Sequence, residues 1–306
     1  MLRPLTILLL LGYSCLSSAV DSASFSLPKL PKDITYLHDV PIGEIDGVPL
    51  SMEIALPKKA KQKMLPTLVA IHGGAWRKGN KNKLASKIIS FAKRGYVGVS
   101  LMYRLAPDYQ FPAQVDDVKA GIRFLKVHSQ QYRIDPDRII AIGSSAGGHL
   151  ATMLGTTGNN DSFAQHDLWP DVDSSVFAVV NLSGPTTNFL ADLSMSSSSI
   201  ALFLGGNPKD IADIAKAAMP ITYLDKNDPP IFIAHGDADT IVPVQMSRDL
   251  AKAYHALGIR YEYHELPGAG HSLKATHPEI FNQSLKFIEQ LLVEANKNID
   301  GQNKVK

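Results

Sequence analysis

The chain has 306 residues, 45% hydrophobic and 20% charged, with a formal net charge of +2. That is the composition of a globular protein, with enough chain for one large α/β domain. The near-neutral charge excludes the electrostatic footprint of a nucleic-acid or anionic-membrane binder, and a single cysteine excludes a disulfide framework.

The N-terminus differs in kind from the rest. Met1 to Arg3 is a short basic start, Leu5 to Leu11 is a dense apolar run, and Ser17, Ser18 and Ala19 supply small residues for cleavage. This pattern predicts a secretory signal peptide over residues 1–19, and so a secreted or periplasmic protein. The apolar run is too short for a comfortable membrane span, so no integral span is expected in the mature chain. Cys15 lies inside the leader, which leaves the mature chain without thiolate chemistry or cysteine metal ligands. Residues 20–47 read as a flexible N-terminal segment, residues 48–298 as the main domain, and residues 299–306 as a polar tail.

Within the domain, Val48 to Leu56 partly alternates and predicts an antiparallel edge strand. Pro57 to Met64 is a Lys-rich, solvated turn. Thr67 to Ile71 is continuously apolar, as a strand buried on both faces requires. His72-Gly-Gly-Ala-Trp76 follows it. Lys81 to Lys93 has helical spacing and ends near Gly95. Tyr96 to Met102 is the next strand. Tyr103 to Pro107 reads as structural, with Arg104 set to pair with Asp116 or Asp117. Pro112 to Gln130 is an amphipathic helix, with Val115, Val118, Ile122 and Leu125 on its apolar side.

Ile134 to Arg138 turns the chain into a strand that ends in Gly143-Ser-Ser-Ala-Gly147. This fits G-x-S-x-G, the strand-to-helix turn that exposes a nucleophilic serine. Gly155 to Ser175 is a polar loop and Val176 to Asn181 another buried strand. Leu182 to Asp228 is long and irregular, and reads equally as a mobile lid or a surface excursion. Ile231 to Ala234 is a strand, closed by His235-Gly-Asp-Ala-Asp239. A helix over Val244 to Leu257, an alternating strand over Arg260 to Leu266, and Gly268-Ala-Gly-His271 come next. A terminal helix then runs to Asn298. Strands alternating with helices predict an α/β fold, with a mostly parallel twisted sheet and helices on both faces.

In such a sheet the loops at the carboxyl ends of the strands converge on one edge. Four notable loops leave carboxyl ends, in the order glycine-rich loop, Ser, Asp, His. A serine hydroxyl is a weak nucleophile near neutral pH, so Ser145 needs a base, and the base needs a partner to fix its tautomer. His271 suits the base, because its Gly-Ala-Gly loop follows the last strand. Asp239 and Asp237 both lie in the acid loop: Asp239 stands further from the strand end, and Asp237 suits a turn brace. His72 and His235 read as loop braces. Backbone N–H groups of Gly74, Ala75 and Ala146 are the candidate oxyanion donors, helped by the helix N-terminus after Ser145. Trp76 walls the substrate pocket or lies in the core beneath its loop. No Walker spacing and no metal-ligand spacing occur, so neither a cofactor nor a metal is expected.

HGGAW, YRLAP, GSSAGGHLA, HGDADTIVP and GAGH, in that order, resemble the α/β-hydrolase-fold serine esterases. Within that fold the chain is most similar to the bacterial feruloyl and acetyl-xylan esterase group. The hormone-sensitive-lipase-like carboxylesterases are near relatives, but Ala75 replaces their third glycine and Ser144 their usual Asp. The resemblance implies Ser145 as nucleophile, Asp239 as acid, His271 as base, and Gly74, Ala75 and Ala146 as oxyanion donors. It implies a secreted carboxylesterase acting on acetyl or feruloyl esters, as small molecules or linked to plant polysaccharide. Kynurenine formamidases share the HGG-x-W loop, so an amidase, peptidase or formamidase on the same triad is the alternative, with a non-catalytic binding module behind it.

Overall fold

A computed structural model of the chain describes residues 27–60, 62–158, 163, 168–190 and 197–303. The signal peptide expected at 1–19 lies outside them. Eight strands form a sheet: β1 (Ile34–Ile45), β2 (Val48–Pro57), β3 (Leu65–Ile71), β4 (Val97–Leu101), β5 (Ile134–Ser144), β6 (Ala178–Leu182), β7 (Ile231–Gly236) and β8 (Tyr261–Leu266). Their order is β1-β2-β4-β3-β5-β6-β7-β8. β2 runs antiparallel to β1 and to β4, and all neighbours from β4 to β8 are parallel. The helices are α1 (Ala85–Lys93), α2 (Ala113–Val127), α3 (Ser129–Tyr132), α4 (Ala146–Thr157), α5 (Ser197–Leu204), α6 (Ala212–Ala217), α7 (Gln245–Ala256), α8 (Leu273–Thr276) and α9 (Ile280–Asn303).

The central strands are buried along their length because both faces are covered. Their side chains alternate between two cores. Val69, Ile71, Ile139, Ala141, Ile231 and Ile233 face one, with Val118 and Ile122 of α2, Leu150 and Leu154 of α4, and Leu250 of α7. Leu68, Ala70, Ile140, Ile142, Phe232 and Ala234 face the other, with Ile88 and Phe91 of α1 and Phe287, Ile288 and Leu291 of α9.

The boundaries differ from the sequence expectation in instructive places. Residues 34–45, inside the segment expected to be flexible, form β1, and β1 rather than β2 is the sheet edge. Its pairing with β2 shifts register between Leu37 and Val40 and again between Pro41 and Gly43. These irregularities break the period-two pattern that reveals a strand. α9 continues to Asn303, five residues into the expected tail. Lys81–Leu84 is a 3-10 turn before α1 rather than its first turn, started by the Asn80 side chain accepting from the Asn82 N–H.

The two strands that flank β3 place the chemistry. The chain leaves β3 for β4 on one side and returns as β5 on the other, so the loops after β3 and β5 meet where the strand order reverses.

Candidate active site

β5 ends at Ser144, and α4 begins at Ala146. Between them Ser145 adopts φ 56° and ψ −129°, a conformation that side chains rarely hold without support. The support is local. The Ser145 N–H donates to Leu182 O at the end of β6 (2.9 Å), and Ser145 O accepts from the His149 N–H (3.0 Å). The flanking glycines have no room for a side chain. A methyl on Gly143 would lie 1.9 Å from Gly147 O, and one on Gly147 would lie 2.1 Å from Ile71 O. The elbow is therefore pressed against the end of β3.

Two loops meet beyond β7 and β8. His271 Nδ1 donates to Asp239 Oδ2 at 2.7 Å, which leaves Nε2 as the basic nitrogen of the neutral ring. The same Oδ2 accepts from His235 Nε2 at 3.1 Å, while Oδ1 accepts from the N–H groups of Ile241 (2.8 Å) and Val242 (2.9 Å). Burial of Asp239 favours its protonated form. The donors His235, His271, Val242 and Ile241 outweigh burial and hold the carboxyl below the usual carboxylate range. Asp237, the other acid of the loop, is exposed and accepts from the Gly268 N–H at 2.7 Å. It braces the turn that carries His271.

His235 does more than brace. It lies buried beneath Asp239, bonded also to Val242 O (2.9 Å) and to Ser247 Oγ of α7 (2.7 Å). His72 stays within its loop: Nδ1 donates to Gly73 O at 2.9 Å, and its ring stacks on Tyr103 with centroids 4.2 Å apart. Burial lowers its pKa to about 4, against the Gly73 hydrogen bond and with help from Lys83. Arg104 pairs with Asp117 (2.9 Å), one of its two expected partners, and also with Asp46 of the β1–β2 turn (2.6 Å).

Ala75 and Trp76 follow Gly74 with φ values of 54° and 57°. Gly74 too has a positive φ, 122°, so three consecutive residues lie on the left-handed side of backbone space. Among the described residues, the N–H groups of Gly74, Ala75 and Ala146 have no hydrogen-bond acceptor. Trp76 answers both readings of it. It is 3% exposed and stacked on Phe203 of α5 at 4.3 Å, and it also walls a cavity. That cavity holds about 60 Å³ and opens onto Ser145, Ala146 and Ala75, with Ile200, Val242 and Met246 as its apolar sides. The part of the Leu182–Asp228 excursion that contains α5 therefore packs on the glycine loop and supplies a pocket wall. No motif in the sequence marks Ile200, Phe203 or Met246. Nor is His149 singled out, although it stands within GSSAGGHLA.

One group of metal-type donors occurs among the described residues: His38, Asp39 and Glu53, on β1 and β2. The Lys81 ammonium lies among them, bonded to Asp39 and, at 2.7 Å, to Glu53, and so supplies a positive charge there.

The BD-FAE family model matches residues 52–254. Esterase LipC of Mycobacterium tuberculosis is 31% identical over 225 residues, which are 70% of this chain and 54% of that protein. This chain spans about half the length of such curated relatives. A truncated carbohydrate esterase from gut microbiota superposes with a TM-score of 0.76 at 27% identity, covering 86% of this chain and 98% of the other. A bifunctional GH43-CE protein of Bacteroides eggerthii gives 0.75 at 31% identity, covering 84% of this chain and 38% of the other.

Proposed function

Because the chain belongs to the BD-FAE family of α/β-hydrolase-fold esterases, we propose that it is a carboxylic ester hydrolase working through Ser145, His271 and Asp239. The observation that carries this reading is the 2.7 Å bond from His271 to a buried, ionised Asp239, on loops that leave the same sheet edge as the strained Ser145.

The chemistry follows from the parts. Ser145 Oγ attacks the acyl carbon and gives its proton to His271 Nε2. Asp239 remains ionised and balances the imidazolium. The carbonyl oxygen gains negative charge facing the N–H groups of Gly74, Ala75 and Ala146, where the N-terminus of α4 adds positive potential. As the tetrahedral species collapses, His271 protonates the leaving alcohol. Water then repeats the sequence on the acyl-serine and releases the acid. No step calls for a metal or an organic cofactor.

The cavity beside Ser145 supports a short acyl group. It holds about 60 Å³ beside the nucleophile. An acetyl group fits that space. A feruloyl group, an aromatic ring on an unsaturated linker, is a poorer match to a cavity of this size between Trp76, Ile200 and Met246. The carbohydrate esterase likeness and the leader-like residues 1–19 favour a secreted or periplasmic enzyme that removes acetyl groups from polysaccharide. No helix among the described residues is long and apolar enough to cross a membrane.

Hydrolysis of 4-nitrophenyl acetate, butyrate and octanoate, methyl ferulate, acetylated xylan and an aryl amide tests this reading. Acetyl esters should be fastest, and Ser145→Ala should abolish turnover. Turnover retained by Ser145→Ala would sink the mechanism, and a faster aryl amide would make the enzyme an amidase.

A further inference from the structure

His149 takes no part in the steps above, yet it sits one turn past Ser145 on α4, with its N–H on Ser145 O. Its side chain is fully buried. Nδ1 accepts from Trp76 Nε1 at 3.1 Å, and Nε2 donates to Ala218 O at 2.8 Å. These partners define the state of the ring. An indole N–H can only donate and a carbonyl can only accept, so the imidazole is neutral with its proton on Nε2. Burial reinforces this by drawing its pKa down to about 4, against the pull of the Ala218 carbonyl.

One ring thus ties together three segments distant in sequence: the helix that carries the nucleophile, the glycine loop, and the excursion just after α6. The loop needs such a tie. Ala75 and Trp76 both hold positive φ, a strained backbone that persists only where the surroundings fix it. The Trp76 ring is gripped by Phe203 on its face and His149 at its edge, with the His149 centroid at 5.1 Å and 89°. A shift of the indole moves its own backbone and that of Ala75, whose N–H faces the developing oxyanion.

We infer that His149 is a positioning residue for the ester hydrolysis proposed above: through its bond to Trp76 it holds the Ala75 N–H in register with Ser145. The inference rests on the esterase reading and adds a requirement that Ser145, His271 and Asp239 alone do not impose.

Three substitutions separate the two bonds. His149→Leu removes both. His149→Asn places an amide oxygen near Nδ1 and keeps an acceptor for Trp76. His149→Gln extends toward Ala218 O and offers Trp76 none. The experiment measures kcat and KM on 4-nitrophenyl acetate for each variant and for Ser145→Ala, beside thermal melts. His149→Leu and His149→Gln should lower kcat about tenfold to a hundredfold with KM little changed, because misplaced donors act on the transition state. His149→Asn should recover most of kcat. Wild-type kcat in His149→Leu, beside an inactive Ser145→Ala, overturns the positioning role and leaves the esterase reading intact. An equal fall in Asn and Gln overturns it too, since packing alone would then explain both. If His149→Leu unfolds at the assay temperature, the Asn and Gln comparison decides. An active Ser145→Ala refutes the esterase reading itself.

Discussion

Truncating Ile200 should change which acyl group the enzyme prefers. Ile200 lies on α5, is 2% exposed, and lines the 60 Å³ cavity together with Trp76. Ile200→Ala removes three carbons and opens room for about three further water-sized groups. Butyrate carries two more methylenes than acetate. At about 0.8 kcal/mol of burial each they gain about 1.6 kcal/mol in the enlarged pocket, or about fifteenfold in the butyrate-to-acetate ratio of kcat/KM. Ile200→Val frees a single carbon and should shift the ratio only about fourfold.

The same truncation costs stability, about 2–5 kcal/mol for a buried isoleucine, so specificity and folding must be read apart. Ile88→Ala supplies the control. Ile88 is a fully buried residue of α1, in the core on the other face of the sheet, so its truncation should lower the melting temperature comparably and leave the acyl-chain ratio alone. Steady-state kinetics on 4-nitrophenyl acetate, propionate and butyrate, with melts for each variant, decide the matter. An unchanged ratio in Ile200→Ala, or a shift of equal size in Ile88→Ala, would falsify the assignment of this cavity to the acyl group.

Three further outcomes are expected. Asp239→Asn should cut kcat by about four orders of magnitude by leaving His271 in the wrong tautomer. Because the folded-state pKa of Asp239 lies below its unfolded value, its contribution to stability is full above the usual carboxylate range and is lost as pH falls through the folded pKa. Melting temperature against pH should therefore lose part of its acid limb in Asp239→Asn, and an identical limb would contradict the electrostatics. Gly147→Ala sets a methyl 2.1 Å from Ile71 O, so the protein should be destabilised by at least about 1–3 kcal/mol and inactive; a stable, active variant would show that the elbow can shift. Arg104→Met leaves Asp117 buried without its cation, at a cost of about 3–5 kcal/mol, and chemical denaturation should show the midpoint falling by a matching amount.

What could be read in the sequence is what local geometry dictates. Gly143 and Gly147 are required by contacts within a few residues or against the adjacent strand end, so a pentapeptide carries the signal. Leu68 to Ile71 of β3, Ile139 to Ile142 of β5 and Ile231 to Ala234 of β7 are unbroken apolar runs because both faces are covered there. β1 is hidden in the sequence because two register shifts scramble its alternation. α5 is hidden for a different reason. Ile200, Phe203 and Leu204 do have helical spacing and are buried, but the helix spans only eight residues and starts in a run of serines. Two turns are too few for the period to stand out. His149 gains its role from partners 73 and 69 residues away and Ile200 from cavity residues on separate loops, and no short sequence window contains those contacts.

The choice between Asp237 and Asp239 shows where local reading ends. Both acids sit in the loop that follows β7, two residues apart, and either could reach a histidine. The structure gives them different work through different neighbours. Asp239 turns inward over His235, whose buried ring is oriented by Val242 O and Ser247 Oγ. That ring and His271 share Oδ2, while two amides hold Oδ1. With donors on both oxygens the carboxylate cannot rotate without losing hydrogen bonds, so the imidazole it faces is held in one orientation as well. Asp237 turns outward and caps the Gly268 N–H, fixing the start of the loop that brings His271 back. One acid therefore aims the base, and the other anchors the segment that carries it. That division depends on His235 lying beneath the loop, which makes His235 the residue through which the packing of α7 reaches the chemistry at His271.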